Sequence, residues 1–506
     1  MRTQAVVQFA RRRRTLPSVV LMALLTSGCV VGPDYQKPHI ALPFHWAGAN
    51  KVEISRPSEL SQWWRRLNDQ TLNVLIDEAV AGNLDVAASK ASIREARASH
   101  RQTVGALFPS ADGSGSATRN RSAASTSGAA NIYSQYQAGF DSSWEIDLFG
   151  GRRRAVEASL YGMDAAEEEL RATLLTLIGD VASNYAEARG YQARLALARR
   201  TAASQRATVD LTRIRLEAGA ASAVDVANAS GQTSTTEANI PVLETGYAQA
   251  VHRLSVLTGH PPAALADRLK KSAPIPTPKL PIPTGIPADI LLTRPDVRLA
   301  ERQYAQATVK IGEAEAERYP SVSLTGNIST SGTKLGDLGK SSSISWSFGP
   351  TLTVPVFNAG QLAAAADVTR AQRDRYFIAW RASVLTALED VENANVALAQ
   401  ERVRNGKLAT SVRHYRDSAS LARTLYQSGS TSFLELLEAE RSLYSAEDSL
   451  IQSRVSIVTD YIALNKALGG GWDGFVDASM PEVVDASTGP HLERPMGKPK
   501  TAAVKN

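Results

Sequence analysis

An internal duplication constrains the fold of this 506-residue chain more than any other feature. Short matching segments recur in the same order about 210 residues apart, so two similar halves are expected. The clearest matches pair Asn83–Val86 with Arg294–Val297, Phe108–Ser110 with Tyr319–Ser321, and Arg215–Gly219 with Leu425–Gly429. The sequence therefore predicts two structural repeats, residues 69–271 and 288–472. Between them, 272–287 contains six prolines, which disfavour helix and inner strand, so a linker is expected there.

Each repeat contains a long segment that is free of proline and rich in helix-forming residues. Residues 152–217 and 360–427 predict helices of about 100 Å, at 1.5 Å of rise per residue. Each ends near a glycine followed by a serine, which favours a helix end and the start of a returning helix, over 222–258 or 432–468. Shorter helices are expected over 69–105 and 296–318. Helices this long indicate coiled-coil packing or a tube rather than a compact globule.

Each repeat also contains two segments in which apolar and polar residues alternate, as in β-strands. These strand pairs lie near 108–148 and 320–357. One parity carries large side chains, including Tyr136, Phe140, Trp144, Trp346 and Phe348. Such a face fits a half-buried soluble sheet or a lipid-facing surface. Aromatic residues near the strand ends favour the lipid-facing alternative.

The N-terminus has the order of a secretory signal. The basic run Arg11–Arg14 precedes the apolar run Val19–Leu25, which is too short to span a bilayer. Cys29, the only cysteine, follows small residues and resembles the lipidation site of bacterial lipoproteins. This resemblance implies a signal peptide over 1–28 and a lipid-anchored extended segment over 29–68. The alternative is an ordinary cleaved signal with an incidental cysteine.

Composition and charge argue against several classes of function. The net charge is +6, but five arginines before residue 15 supply most of it, so the mature chain has no strong attraction for nucleic acid. A single cysteine excludes a disulfide framework and a multi-cysteine zinc site. Gly339–Ser341 matches only the end of a phosphate-binding loop. We therefore expect no enzyme activity, no metal site and no cofactor apart from covalent lipid on Cys29.

The mature chain has no apolar stretch of about eighteen residues, the length that a membrane-spanning helix needs. A chain of this kind can span a membrane only with strands closed into a barrel. Four strands are too few, because single-chain barrels begin at about eight. Two chains would supply eight strands and three would supply twelve. The predicted fold class is a mixed α and β membrane protein, a long helical tube with a barrel shared between chains.

Several short motifs occur in the order found in one known family. They are Val31–Pro38, Trp63–Trp64, Asp147–Gly150, Thr293–Val297, Phe348–Pro350 and Ala467–Trp472. Together they resemble the outer-membrane efflux lipoproteins of the OprM type, within the TolC-like family. The resemblance runs from Cys29 to Trp472 and leaves the polar tail 473–506 unexplained. It implies a homotrimer with a twelve-stranded barrel, lipid-anchored in the bacterial outer membrane, whose helices form a periplasmic tube.

The resemblance also implies roles for the two helix turns. Gly219–Ser222 and Gly429–Ser432 would lie at the closed periplasmic end, where an adaptor docks; alternatively, they are only helix caps. Some related channels carry an acidic residue at the position of Thr431 as part of an electrostatic gate. Asp225 and Glu435 are expected to substitute for this acid, with Arg215 and Arg423 as salt-bridge partners. Alternatively, Asp225 and Glu435 are solvated charges on the helix surface.

The expected function is that of a passive outer-membrane exit channel. It would export drugs or other small toxic compounds together with a periplasmic adaptor and an inner-membrane pump of the RND type. Two alternatives remain open at this stage. One is a duct for type I protein secretion or metal-ion efflux, and the other is a periplasmic coiled-coil lipoprotein that forms no channel.

Overall fold

The computed structural model describes residues 30–40, 60–123, 131–278 and 288–472, without the side chains of 288–290. The predicted signal peptide, Cys29 and the tail 473–506 lie outside the described residues, as does the linker from 279 to 287. Within the described parts, no helix is long and apolar enough to cross a membrane.

Both repeats contain a helix, two strands and two long helices in that order, and the first repeat has two further α-helices, one at its start and one at its end. The first repeat contains α1 (Gln70–Gly82), α2 (Leu84–Gly105), β1 (Ser110–Arg121), β2 (Ile132–Ile146), α3 (Gly151–Glu217), α4 (Ala223–Leu257) and the short α5 (Ala266–Leu269). The second contains α6 (Pro295–Ala316), β3 (Ser321–Gly332), β4 (Ile344–Thr353), α7 (Gln361–Ser428) and α8 (Phe433–Ala467). Four short 3-10 helices complete the described chain: Trp63–Leu67, Ala288–Thr293, Leu335–Asp337 and Ser341–Ser343.

The long helices agree with the sequence prediction, whereas the single helix expected over 69–105 is wrong. The chain breaks at Asn83, whose extended backbone separates α1 from α2. Its side-chain oxygen accepts hydrogen bonds from the backbone N–H groups of Asp85 and Val86, at 2.9 and 3.1 Å. Its amide nitrogen donates to the carbonyl of Leu257 at 3.0 Å. Asn83 therefore caps α2 and fastens this corner to the end of α4.

The four long helices form two hairpins, α3–α4 and α7–α8, that pack together through α3 and α8. The shorter helices α2 and α6 pack on α3, and α6 also contacts α7. The main apolar core lies where these shorter elements meet the long helices, and Trp63, Trp64, Tyr185 and Tyr461 are its largest side chains. Because α3 and α8 make the contact between the hairpins, α4 and α7 are the outermost of the four long helices.

The strands form one antiparallel sheet in the order β1-β2-β3-β4. Phe140 lies opposite Gly113 on β1 and opposite Ile328 on β3, and Ile328 lies opposite Trp346 on β4. Because directly opposite residues share a face, the apolar parities of the strands coincide. The two repeats thus contribute two adjacent hairpins to one continuous sheet.

The described segment 30–40 is fastened where the sheet meets the helices. Val31 donates a backbone hydrogen bond to the carbonyl of Phe149 at 3.0 Å. Asp34 accepts one from the buried Arg154 at 2.6 Å. Gly32, at a φ of +88°, lies so close to Gly312 that a Cβ would meet its Cα at 2.3 Å. This close approach fixes the start of the described chain beside the first turn of α3.

Candidate functional site

The first candidate surface is the apolar face of the sheet. Phe140, Trp346 and Phe348 lie on it with 68, 74 and 69% of their surface exposed. Leu352 and Ile328 on the same face are also exposed. A contiguous exposed apolar surface of this kind marks a protein or membrane interaction site. Among the described residues, therefore, nothing covers this face as a second layer would cover a half-buried soluble sheet.

The opposite face of the sheet is polar. Ser143, Thr325 and Gly349 lie opposite one another across three strands, and Asp141 lies opposite Asn327. Asn327 also accepts hydrogen bonds from the backbone N–H and the hydroxyl of Ser347, both at 3.0 Å. One face thus suits an apolar environment and the other suits water, the arrangement expected of strands in a water-filled barrel.

Two of the predicted membrane-facing aromatic residues differ from the others. Tyr136 and Trp144 share the apolar face but are half-buried. The indole N–H of Trp144 donates to the carbonyl of Leu107 at 2.9 Å, just before β1 begins. Trp144 therefore joins the base of the sheet to the end of α2. An aromatic ring whose N–H is hydrogen-bonded to a carbonyl and whose remaining surface is apolar suits the boundary of a membrane.

The second candidate surface is the pair of helix turns that end the two hairpins. In the first turn, Gly219 has a φ of +75°, which a residue with a Cβ rarely adopts. Ser222 then caps α4 by accepting the N–H of Asp225 at 3.1 Å, and Asp225 accepts the N–H of Ser222 at 2.9 Å. This reciprocal pair is a capping box, so the Asp225 carboxylate is engaged locally.

The second turn repeats this construction with different side chains. Gly429 has a φ of +80° and ends α7. Ser432 caps α8 by accepting the N–H of Glu435 at 3.4 Å. The Glu435 carboxylate accepts the hydroxyl of Thr431. Thr431 is therefore linked to the acid four residues later.

The predicted salt bridges of Arg215 and Arg423 to these carboxylates are wrong for the described chain. Arg423 reaches Glu440 of α8 and the hydroxyl of Ser204 on α3, each at 2.5 Å. Its guanidinium thus joins both hairpins. Because these partners come from different repeats, no spacing in the sequence indicates them.

Arg215 joins the hairpins in a different way, closer to the turns. Its guanidinium lies 4.6 Å from the ring centroid of Tyr426 and donates to the carbonyl of the same residue. The hydroxyl of Tyr426 donates to Thr212 at 3.2 Å. Tyr426 also packs in a small apolar cluster near the turns, together with Val209, Ala229, Phe433 and Leu436. The hairpin ends are therefore held together by a cation–π contact and apolar packing.

A buried carboxylate that the sequence did not indicate links α3 to α6. Glu168 is 2% exposed, and its Oε1 lies 2.5 Å from both Arg171 and Arg298. Burial raises the pKa of Glu168, although the two arginines act in the opposite direction. No cluster of metal-ligating side chains occurs in the described parts of the chain. The ion pairs of Glu168 thus hold α3 against α6.

The comparison with known proteins decides which family this architecture represents. The profile of the outer membrane efflux protein family matches residues 75–260 and 286–470. The chain belongs to the outer membrane efflux protein family. Both matched segments contain a strand pair and a long helix hairpin, so the family profile covers each of the two repeats.

Three similar proteins extend this finding. Nodulation protein T of Rhizobium leguminosarum bv. trifolii is 33% identical over 92% of this chain and 100% of its own. The solvent efflux pump outer membrane protein SrpC of Pseudomonas putida is 33% identical over 91% of this chain and 98% of its own. The structure of the outer-membrane channel OprN has a TM-score of 0.81 at 32% identity, over 88% of this chain and 100% of OprN.

These findings confirm three predictions. The family is that of outer membrane efflux proteins, the fold class is that of its helical and strand-containing channels, and the function is that of an outer-membrane efflux component. The family is one of efflux ducts rather than of enzymes. Lipid on Cys29, adaptor docking at the turns and gating by charges stay predictions.

Proposed function

We propose that three copies of this chain form a passive exit duct across the outer membrane, served by a periplasmic adaptor and an inner-membrane pump. The observation that carries the proposal is the two-sided sheet, whose apolar face is exposed. Its outer strands β1 and β4 each have one edge unpaired in the described chain. Unpaired backbone groups cannot remain in lipid, so these edges need partner strands.

Pairing of β4 with β1 of the next copy would satisfy those edges. The strand order makes β1 and β4 antiparallel to each other, so the antiparallel pattern would continue around a ring. Three copies give twelve strands, enough for a water-filled lumen lined by the polar face. The apolar face, with Phe140 and Phe348, would then contact lipid.

An exposed apolar stripe on α7 supports the same assembly on the helical side. Its members are Ile378, Leu385, Val396, Val403, Leu421 and Leu425, each 47 to 66% exposed. At 100° per residue they fall within an arc of about 40° on the helix surface. A stripe this narrow on an outermost helix fits one helix of a second copy.

The other outermost helix, α4, carries a complementary surface of smaller residues. Val224 and Val242 are exposed and lie 18 residues apart, which is about five full turns. Ala227 and Gly231 lie on the same side of α4 and are exposed. We place α7 of one copy against α4 of the next, large residues against small ones. Repetition of this contact closes the helices into a tube.

The start of the described chain supports lipid on Cys29. Val30, the next residue, packs against Gly150 at the junction of sheet and helices, where the membrane surface would lie. Acyl chains on Cys29 would therefore enter the bilayer beside the barrel. The paired helix turns would face the periplasm and dock the adaptor. By analogy with the solvent efflux relative, the cargo would be small toxic compounds. We propose no catalysis in the duct.

The assembly is tested at the proposed seam between copies. Leu385→Asp places a charge in the stripe, whereas Val368→Asp places it on the same helix about a quarter turn away. Both side chains are 55% exposed in the single chain, which makes the pair well matched. We expect wild type and Val368→Asp to give trimers that conduct in planar bilayers, and Leu385→Asp to give monomers. Wild-type monomers without conductance, or equal behaviour of the two variants, would overturn the proposal.

A further inference from the structure

Two arginines interrupt the apolar face of the sheet at the end farthest from the helices. Arg119 and Arg121 of β1 lie directly opposite Ser134 and Ile132 of β2. Ser134 and Ile132 are six and eight residues from Phe140 on the same strand, and residues an even number of positions apart on a strand share a face. Both arginines therefore belong to the face that carries Phe140, and both are exposed.

The described chain leaves these two positive charges without an anionic partner. Neither Arg119 nor Arg121 forms an ion pair with any residue that the structure describes. The segment 122–131, which connects β1 to β2, contains no aspartate and no glutamate. At the same end of the sheet, Asp337 is already paired with Lys340 at 2.7 Å. The guanidinium groups are therefore free to bind an anion from outside the described chain.

The depth of the arginines in a membrane follows from the length of β2. Trp144 suits one membrane boundary, and Ser134 and Ile132 lie ten and twelve residues farther along the strand. These separations are about 34 and 41 Å along the strand, or about 24–28 and 29–33 Å across a membrane at a tilt of about 35–45°. The apolar band of an outer-membrane barrel is about 25 Å tall. Arg119 and Arg121 therefore lie at the boundary opposite Trp144, beside the lipid headgroups.

The side chains at this boundary match the chemistry of a phosphate group. The Cα atoms of Arg119 and Arg121 are about 7 Å apart on one face, so both guanidinium groups can reach one headgroup. Each guanidinium presents a planar fork of N–H donors that fits phosphate oxygens. The hydroxyl of Ser134, opposite Arg119, adds a donor on the same face. Ile132, opposite Arg121, is 57% exposed and offers an apolar contact for an acyl chain.

We propose that Arg119 and Arg121 bind the phosphate of an anionic glycolipid in the outer leaflet of the membrane. This inference rests on the proposed function, because it requires the apolar face of the sheet to contact lipid. An inorganic phosphate would leave Ile132 uncovered, whereas a lipid supplies both the phosphate and the acyl chains. A lipid with a neutral headgroup would leave two positive charges unmatched. Three copies would place three such sites around the outer rim of the barrel.

Native mass spectrometry of the detergent-solubilised protein with added lipid A, a glycolipid with two phosphate groups, tests the site. Wild-type trimers are expected to bind lipid A saturably, and the double variant Arg119→Gln, Arg121→Gln at least about tenfold more weakly, because it loses both guanidinium groups. The matched control is Arg199→Gln with Arg206→Gln. It removes two exposed arginines of α3 that pair with carboxylates of α4, and it should bind lipid A as wild type does.

Dephosphorylated lipid A, which keeps the same acyl chains, separates phosphate recognition from apolar binding. Wild type is expected to bind it at least about tenfold more weakly than lipid A. Equal affinities for the two lipids, no saturable binding of lipid A, or unchanged affinity in the Arg119 and Arg121 double variant would overturn the proposal. Displacement of lipid A by excess inorganic phosphate would do so too, because it would indicate a site for the free anion.

Conductance in planar bilayers separates this inference from the proposed function. Wild type and the Arg119 and Arg121 double variant are both expected to form trimers that conduct alike. Conducting trimers without lipid A binding would overturn the lipid site and leave the duct standing. Loss of trimers in the double variant would instead assign the arginines to contacts between copies, and would overturn the lipid site as well.

Discussion

Gly406 lies in the interior of α7 and Gly429 at its end, and their backbone conformations differ. Gly429 ends α7 at a φ of +80°, whereas Gly406 lies inside α7, where an added Cβ would have no neighbour within 4 Å. A Cβ in the left-handed conformation costs about 1–2 kcal/mol, while alanine inside a helix gains about 0.5–1 kcal/mol over glycine. We expect Gly429→Ala to weaken the last turn of α7 and Gly406→Ala to strengthen the helix.

Native-state hydrogen exchange of the α7 amides measures both effects. Protection of the last turn should fall in Gly429→Ala, and protection around residue 406 should rise in Gly406→Ala. Changes of the same sign in both variants would contradict the assignment of Gly429 to the turn conformation.

The titration of Glu168 gives the stability of the helix packing a defined pH dependence. Burial raises its pKa above the ordinary value of 4.5, so the folded state holds the proton more tightly than the unfolded chain. The contribution of the protonated Glu168 carboxyl to the stability of the folded state is fully present below pH 4.5. It is lost as the pH rises through the pKa of Glu168 in the folded state. The Tm of Glu168→Gln relative to wild type should therefore rise from acidic to neutral pH.

The control for this titration is Glu169→Gln, which changes an exposed carboxylate of the same helix turn. Its Tm relative to wild type should change less with pH than that of Glu168→Gln. Equal pH dependence in the two variants would remove Glu168 from this account.

At the residue scale, the sequence predicted what depends on near neighbours. The glycine and serine of each turn indicated a helix end and a cap, and both are present at Gly219 and Ser222. The partners of Arg423 were predicted wrongly, because Ser204 lies in the other repeat and Glu440 on the returning helix.

The two faces of the sheet predict opposite responses to the same substitution. Phe140→Arg or Phe348→Arg places a charge on the apolar face and should cost about 2–4 kcal/mol if that residue lies near the bilayer midplane. Ser143→Arg or Ser347→Arg places it on the polar face, where water solvates it. We expect the serine variants to assemble as wild type does. Unfolding of protein in lipid vesicles by denaturant measures the difference, and the reverse order would reject the register.

At the scale of elements, periodicity was most informative where a pattern is long. The bounds of α3 and α7 were predicted to within one residue, because a long run without proline leaves few alternatives. The break between α1 and α2 was missed. Asn83 can face solvent within a helix or cap a new one, and its bond to Leu257 decides between these states only after folding.

Arg423 tests how the whole molecule holds its hairpin ends together. It joins α7 to Ser204 of the other hairpin and to Glu440 of its own, so Arg423→Ala should loosen the packed arrangement. We expect a higher conductance of the purified channel in planar bilayers. The matched control is Arg404→Ala, because Arg404 pairs with Glu401 of its own helix. If the two variants conduct equally, Arg423 has no part in closing the channel.

For the molecule as a whole, the sequence indicated a shared barrel because four amphipathic strands cannot close alone. The structure adds which surfaces a single chain leaves unused, from the apolar side of the sheet to the stripe on α7. The alternation within the strands indicated the first of these surfaces, whereas the exposure of the stripe on α7 depends on which neighbours the packing of both repeats supplies.

The spacing of the α7 stripe has a mechanical consequence. Its six residues follow one another at spacings of 7, 11, 7, 18 and 4 positions, and 7 plus 11 makes 18 residues, which is about five turns of an unstrained helix. A strict repeat of seven would make the proposed seam coil around the neighbouring helix. This spacing instead keeps the seam parallel to the axis of α7. A small rotation of α7 about its own axis therefore displaces the seam by the same amount along its whole length. In the proposed tube, the contact between neighbouring copies can thus loosen along its full length in one movement, without bending of any helix.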